Sequence, residues 1–216
     1  QVTAQAIRSD RMHAQHNFPN EIEQIQKYFS HDNEKSLVRA TVAEGVDVPI
    51  WILGSSTDSA HLAAAKGLPY AFASHFAPAQ LIEALNIYHN NFQPSAQLKE
   101  PHTMAAINVI AADTNEEAEK LSTSLIRMFL GILTDKRDYM QPPTAMTSEL
   151  KALSQNPAFE RMLKYSFVGD KTVIAAQTKA FLKTTHVNEL MVVSNMYHLE
   201  DRIKSFRIFS EIMKEG

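Results

Sequence analysis

From residue 48 onward, the apolar positions of the chain alternate between two rhythms. Short continuous apolar runs read as strands buried on both faces, as parallel sheets require. These runs are Val48-Pro49-Ile50-Trp51-Ile52-Leu53-Gly54, Leu68 to Phe76, Thr103 to Ala112 and Glu189 to Ser194. Stretches with helical spacing lie between them. Ala60 to Lys66 is a short alanine-rich helix, and Gly67 fits the position just past its end. Pro78 opens a helix with Leu81, Ile82, Leu85 and Tyr88 on one side. Thr114-Asn115-Glu116-Glu117 has the form of a capping box, and the helix it starts carries Ala118, Leu121, Leu125, Met128 and Ile132 as one stripe. Leu150 to Lys164 is a short helical stretch. Ser166-Phe167-Val168-Gly169 is a short extended piece, and Asp170 caps a helix from Lys171 to about Thr185. Leu199, Ile203, Phe206 and Met213 mark a C-terminal amphipathic helix.

The remaining segments are less periodic. Residues 1–16 are polar with scattered apolar positions and read as the end of a helix. Pro19 suits the first position of the next helix, whose face is Ile22, Ile25 and Phe29. Residues 30–47 read as a surface loop. Residues 134–148 hold Asp135, Lys136, Arg137, Asp138 and Pro142-Pro143 without a period, a long loop of the kind that forms lids or stays disordered. No repeat stands out and no linker divides the chain, so residues 1–216 are expected as one domain. Alternating strand and helix predicts an α/β protein with a mainly parallel sheet of four core strands. An open doubly wound sheet and part of a (β/α)8 barrel both satisfy this pattern. Four strands are too few to close a barrel, which takes eight strands and about 250 residues.

Composition narrows the function classes. The 216 residues are 44% apolar and 21% charged, ordinary for a soluble globular domain. A net charge of -3 leaves no basic excess to neutralise phosphates, so no nucleic-acid partner is expected. The absence of cysteine excludes disulfides, thiolate nucleophiles and Cys-ligated metal sites, and it fits a reducing, cytoplasmic location. No apolar run reaches the roughly 18 residues of a membrane span, and Gln1 to Gln5 hold no apolar signal core, so no membrane association is expected. The chain opens on Gln and its first residues read like the interior of a protein, so processing or truncation is expected.

In α/β folds, ligands gather at the carboxyl ends of the strands. Those ends are Gly54–Ser59, Ser74–His75, Ala112–Thr114 and Ser194–Tyr197. At the first, a glycine permits close backbone approach, and Ser55, Ser56, Thr57 and Ser59 lead into a helix whose unpaired N–H groups suit a phosphate. An ordinary capping turn, with Thr57 or Asp58 serving its own helix, fits the same residues. No lysine-bearing phosphate loop is present. His75 suits an acid, a base or a hydrogen-bond donor to a ligand, and equally a histidine satisfied by its own loop. His13 and His16 share a helical face, but no third metal ligand accompanies them, and no metal site is expected. Spacing argues for no nucleophile–base pair, so catalytic residues stay unassigned.

Residues 48–56, continued by Ser59-Ala60-His61-Leu62-Ala63-Ala64-Ala65-Lys66-Gly67-Leu68-Pro69-Tyr70-Ala71-Phe72-Ala73-Ser74-His75-Phe76-Ala77-Pro78, closely resemble the bacterial luciferase-like, flavin-dependent monooxygenases. The lid-like segment 134–148, Val168-Gly169-Asp170 and Glu189 to Ser194 match as well. The resemblance implies a (β/α)8 barrel of which this chain covers about the last four strands and their helices, the first four lying before Gln1. It implies an enzyme using reduced FMN and O2 on a small organic substrate, an aldehyde in the luciferases. A separate NAD(P)H-dependent flavin reductase would supply the reduced flavin. By position, the flavin phosphate falls on Gly54, Ser55, Ser56 and Ser59, while Ser74 and His75 stand near flavin and substrate. Two other readings remain open: a non-catalytic flavin- or phosphate-binding half barrel, and a deazaflavin-dependent reductase of the same superfamily. Strands at the two ends of a half barrel have open edges, so a homo-oligomer or a poorly stable segment is expected.

Overall fold

The computed structural model describes residues 14–136 and 138–215. The chain divides into two compact units, Gln1–Ile50 and Trp51–Gly216. In the first, helix α1 spans Ala14–Phe29 and a 3-10 turn spans His31–Lys35. Pro19 lies inside α1 rather than opening it. A proline forfeits the bond its own nitrogen would donate, and here the helix continues on either side of it. The loop after α1 has structure of its own. Asn33 is fully buried and accepts the Ala40 N–H, and Arg39 forms a two-bond pair with Glu44. The helix end expected before Ala14 and the His13 half of the histidine pair lie outside the described residues.

The second unit is an α/β layer structure. Its elements are β1 (Ile52–Gly54), α2 (Thr57–Lys66), β2 (Tyr70–Phe72), α3 (Leu81–Asn91), β3 (Thr103–Ala111), α4 (Asn115–Leu133), α5 (Ser148–Ser154), α6 (Pro157–Leu163), β4 (Ser166–Gly169), α7 (Lys171–Thr185), β5 (Glu189–Val193) and α8 (Leu199–Glu215). The sheet has five strands, and every pair is parallel. The fifth is β4, the short piece left outside the expected core of four. It joins because four of its residues register with Asn108–Ala111 of β3. The expected strands at 48–54 and 68–76 shorten to three residues each, since only those three register with a neighbour.

The local signals mostly act as their chemistry dictates. Gly67 ends α2 with φ +59, a left-handed turn that a side chain would strain, and a Cβ there would also meet the Gln93 carbonyl. Thr114 caps α4 by accepting the Glu117 N–H. The return bond of the box runs from the Asp113 N–H to the Glu117 carboxylate. Asp170 caps α7 through Val173. Leu150 to Lys164 resolves into α5 and α6, parted at Asn156, which caps the helix that Pro157 opens. In α8 the apolar stripe faces the wrong way. Ser205, Phe209 and Ile212 are buried, while Leu199, Ile203, Phe206 and Met213 are all exposed. Periodicity gives a helix two faces, and only packing chooses which one goes inside.

Strand β3 is the centre of the sheet, with all but Met104 of its nine residues buried. Its even-numbered backbone groups serve β2 at the start, where Tyr70 N–H meets the His102 carbonyl, and β4 at the end, where Asn108 N–H meets the Tyr165 carbonyl. Odd-numbered groups serve β5. The neighbours are shorter than β3, and side chains fill the gaps. Ser74 donates to the Ala106 carbonyl at 2.6 Å, between the end of β2 and the start of β4. Beyond β5, Ser194 and Ser205 both donate to the Val109 carbonyl, and Ser205 accepts the Ala111 N–H. Among the described residues, β1 pairs only with β2 and β5 only with β3. Ser205→Ala should leave the Ala111 N–H unpaired in the core and destabilise the protein by about 1–3 kcal/mol. Urea unfolding measures this, and an unchanged midpoint would contradict the role given to Ser205.

Candidate functional site

The first candidate turn joins β1 to α2. Gly54 closes the strand, and a Cβ there would overlap the Ser59 side chain, so only glycine lets the helix start this close. Ser59 donates to the Ser56 carbonyl at 2.6 Å and shares a 2.9 Å hydrogen bond with the Tyr70 hydroxyl. Tyr70 also donates toward the Ser56 carbonyl at 3.3 Å. Burial pushes the Tyr70 phenol up to about 12 against the opposing pull of the Ser59 bond, so it stays neutral. Ser59 and Tyr70 therefore brace the turn from below.

Above that brace, Ser56 is the residue preceding the helix, with extended backbone angles of φ -137 and ψ 165. Its hydroxyl makes no capping bond, and neither Thr57 nor Asp58 caps the helix. Helices α4, α5, α6 and α7 are each capped by a side chain, from Thr114, Thr147, Asn156 and Asp170 respectively. The first turn of α2 thus keeps its N–H groups without a side-chain acceptor. Ser55 is exposed beside it and Ser56 half-buried. Orphan N–H groups at the positive end of a helix, flanked by two hydroxyls, are chemically suited to an anion.

The second candidate turn follows β2. Ala73 N–H donates to the Gly54 carbonyl at 2.8 Å, so the two turns sit side by side at the carboxyl edge of the sheet. Ser74 is fully buried and its proton is committed to Ala106. His75 is half-buried; its Nδ1 is enclosed without a hydrogen-bond partner among the described residues, and burial holds the ring below the usual histidine range. The His75 carbonyl accepts the Asn108 Nδ2 amide at 2.8 Å. That amide also reaches Ser166 at 3.2 Å, and Asn108 Oδ1 accepts from Asn195 at 3.1 Å. Two exposed aromatic side chains, Phe76 and Tyr197, follow directly on these loops.

Tyr70, Asn108 and Ser166 were absent from the expected site, and Asn195 lay within the expected strand end Ser194–Tyr197 without a role of its own. Asn108 left a signal, being a polar residue inside the apolar run Ala105 to Ala112. Tyr70 left none, since a tyrosine in a strand is ordinary. Of the loop expected at 134–148, residues 138–147 are irregular and Ser148 begins α5, and the segment is tethered. Thr123 bonds both the N–H and the carbonyl of Thr144, and Arg127 donates to the Thr144 hydroxyl at 2.8 Å.

Sequence comparison agrees with the resemblance. Residues 15–191 match the luciferase-like monooxygenase family. The chain belongs to that family. It is 35% identical over 215 residues to the luciferase-like monooxygenase of Escherichia coli K12, covering 100% of this chain and 64% of that protein. It is 39% identical to the protein YvbT of Bacillus subtilis, covering 99% of this chain and 64% of YvbT. The chain thus spans about 64% of the length of these relatives. Among solved structures, apo-MsnO8 superposes with a TM-score of 0.83 at 24% identity, over 99% of this chain and 65% of that one. An F420-dependent secondary alcohol dehydrogenase superposes at 0.51 with 12% identity, over 79% of this chain and 50% of its own. At such identities the likeness speaks for the α/β fold with its parallel sheet. No helix among the described residues is long and apolar enough to cross a membrane.

The lowered His75 has a consequence for pH. The unfolded chain takes up the His75 proton near the ordinary value, and the folded protein only at lower pH. Stability is therefore undiminished above pH about 6.5 and falls as pH drops below it. His89 adds to the fall, being lowered by burial and by His186. Urea midpoints at two pH values should show less loss on acidification in His75→Gln than in wild type, and equal losses would refute the assignment.

Proposed function

We propose that this chain supplies the flavin-phosphate turn and one side of the reaction pocket of a luciferase-like monooxygenase. The full enzyme is a (β/α)8 barrel of which these strands are the last part, acting in the cytoplasm on a small organic substrate with O2. The observation that carries the reading is the start of α2, uncapped by any side chain, with the Ser56 hydroxyl free and Ser55 exposed beside it. These groups fit the phosphate of FMN. Ser55, Ser56 and the first-turn N–H groups would hold it, while Gly54 and Ser59 shape the turn. Ser74 and His75 would stand on the ring side, where the enclosed Nδ1 of His75 is a polar atom in want of a partner. Reduced flavin, delivered by a separate NAD(P)H-dependent reductase, would supply the electrons for oxygen chemistry when bound. The protein's part is to bind, orient and exclude water. A neutral His75 can hydrogen-bond without adding charge, and segment 134–147 can shield the pocket.

Ser56→Asp places a charge where the phosphate oxygens would sit and removes a donor. The FMN dissociation constant should rise by well over tenfold. Flavin fluorescence titration gives the answer, and an unchanged constant rejects the phosphate turn. Oxygen uptake with reduced FMN and a long-chain aldehyde separates a monooxygenase from a deazaflavin-dependent reductase or a non-catalytic binding module. If 134–147 acts as a lid, Pro142→Gly or Pro143→Gly should lower turnover more than flavin affinity. Equal losses in both would place the segment in binding instead.

A further inference from the structure

The Asn108 side chain does something the polar side chains around β3 do not. Ser74, Ser194 and Ser205 complete the backbone ladder of the strand itself. Asn108 is just as buried, at 0% exposure, yet its amide spends its bonds on three segments around the strand. It donates to the His75 carbonyl in the turn after β2, and it also reaches Ser166 at the start of β4. Its oxygen accepts from Asn195 in the loop after β5. A buried amide without partners would carry a heavy desolvation cost, so these contacts fix the geometry of all three segments. Asn108 is also the residue of β3 that registers with both β4, at Ser166, and β5, at Val193.

The His75 ring has no such bond at its enclosed Nδ1. Its place is set through its backbone. The Ala73 carbonyl closes the turn by accepting the N–H groups of Phe76 and Ala77. The opposite side is held at the His75 carbonyl by Asn108. We propose that Asn108 is a positioning residue, which fixes the turn at residues 73–77 so that the His75 ring stays enclosed at the carboxyl edge of the sheet. Its bearing on flavin or substrate rests on the function proposed above.

Histidine ring titration by NMR on the intact 216-residue chain tests this without any ligand. His89, on α3 and held low by its own burial and by His186, is the internal reference. In Asn108→Ala the His75 titration should move up toward the ordinary histidine value while His89 stays in place. An unmoved His75 overturns the proposal. Movement of both rings overturns it too, since Asn108 would then support the fold in general and His75 only with it. Should Asn108→Ala fail to fold, Asn195→Ala loosens the same amide from its other side. It should shift His75 in the same direction by less, and no shift overturns the proposal.

A flavin arm tests the functional reading separately. His75→Ala and Asn108→Ala should each weaken FMN binding by about tenfold, the size of one lost hydrogen bond, and the double variant by no more than either alone. Multiplied effects, near a hundredfold, would mean that Asn108 does not act through His75. Failure of the wild-type chain to bind FMN would reject the flavin reading, while the ring titration still decides the positioning role.

Discussion

The second unit depends on the backbone hydrogen bonds of β3. The strand runs nine residues through the core, and buried N–H and C=O groups must be paired. Its neighbours on both edges are shorter. On one edge β2 stops at Phe72 and β4 begins at Ser166, and Ser74 bridges the interval at Ala106. On the other, β5 ends at Val193, and Ser194 and Ser205 take over at Val109 and Ala111. Side chains from a turn, a loop and a helix thereby continue a ladder that no strand completes. The same bonds tie those segments down at the carboxyl edge of the sheet.

This constraint divides the polar residues of the candidate site by task. Ser59 and Ser74, both attractive as ligand donors, have committed their protons to the protein. Ser55 and Ser56 have not, and they sit where a helix presents unpaired N–H groups. His75 lies between the two cases, with its carbonyl held by Asn108 and its ring nitrogen enclosed without a partner. A strand-end serine can thus serve the fold or the ligand, and its hydrogen bonds tell which. Segment 134–147 shows the same economy, being irregular yet clasped to α4 at Thr144 by Thr123 and Arg127.

Much of the local structure was legible in the chain. Gly67, Thr114 and Asp170 sit at helix ends because a left-handed turn or a short acceptor side chain is needed there, and each requirement is met within a few residues. The parallel α/β class followed from apolar runs alternating with helical stripes. The turn at Gly54–Ser59 was found for the same local reason, since a glycine and a serine run lie next to each other in sequence.

What the sequence could not supply were relations between distant segments. The extended piece at 166–169 joined the sheet only because β3 had backbone groups left to pair. Helix α8 buried Ser205, Phe209 and Ile212 instead of its more apolar stripe, and Ser205 so placed accepts the N–H of Ala111, 94 residues away. Asn108 is marked in the sequence as polar within an apolar run, but its partners lie 33, 58 and 87 residues distant. The sequence by itself determined most of the helices, several of their caps and the glycine–serine turn after β1, all fixed by short-range sterics and hydrogen bonding. Only the tertiary structure decided which face of each element is buried and which hydroxyls remain free, because both depend on pairing groups that meet across the sheet.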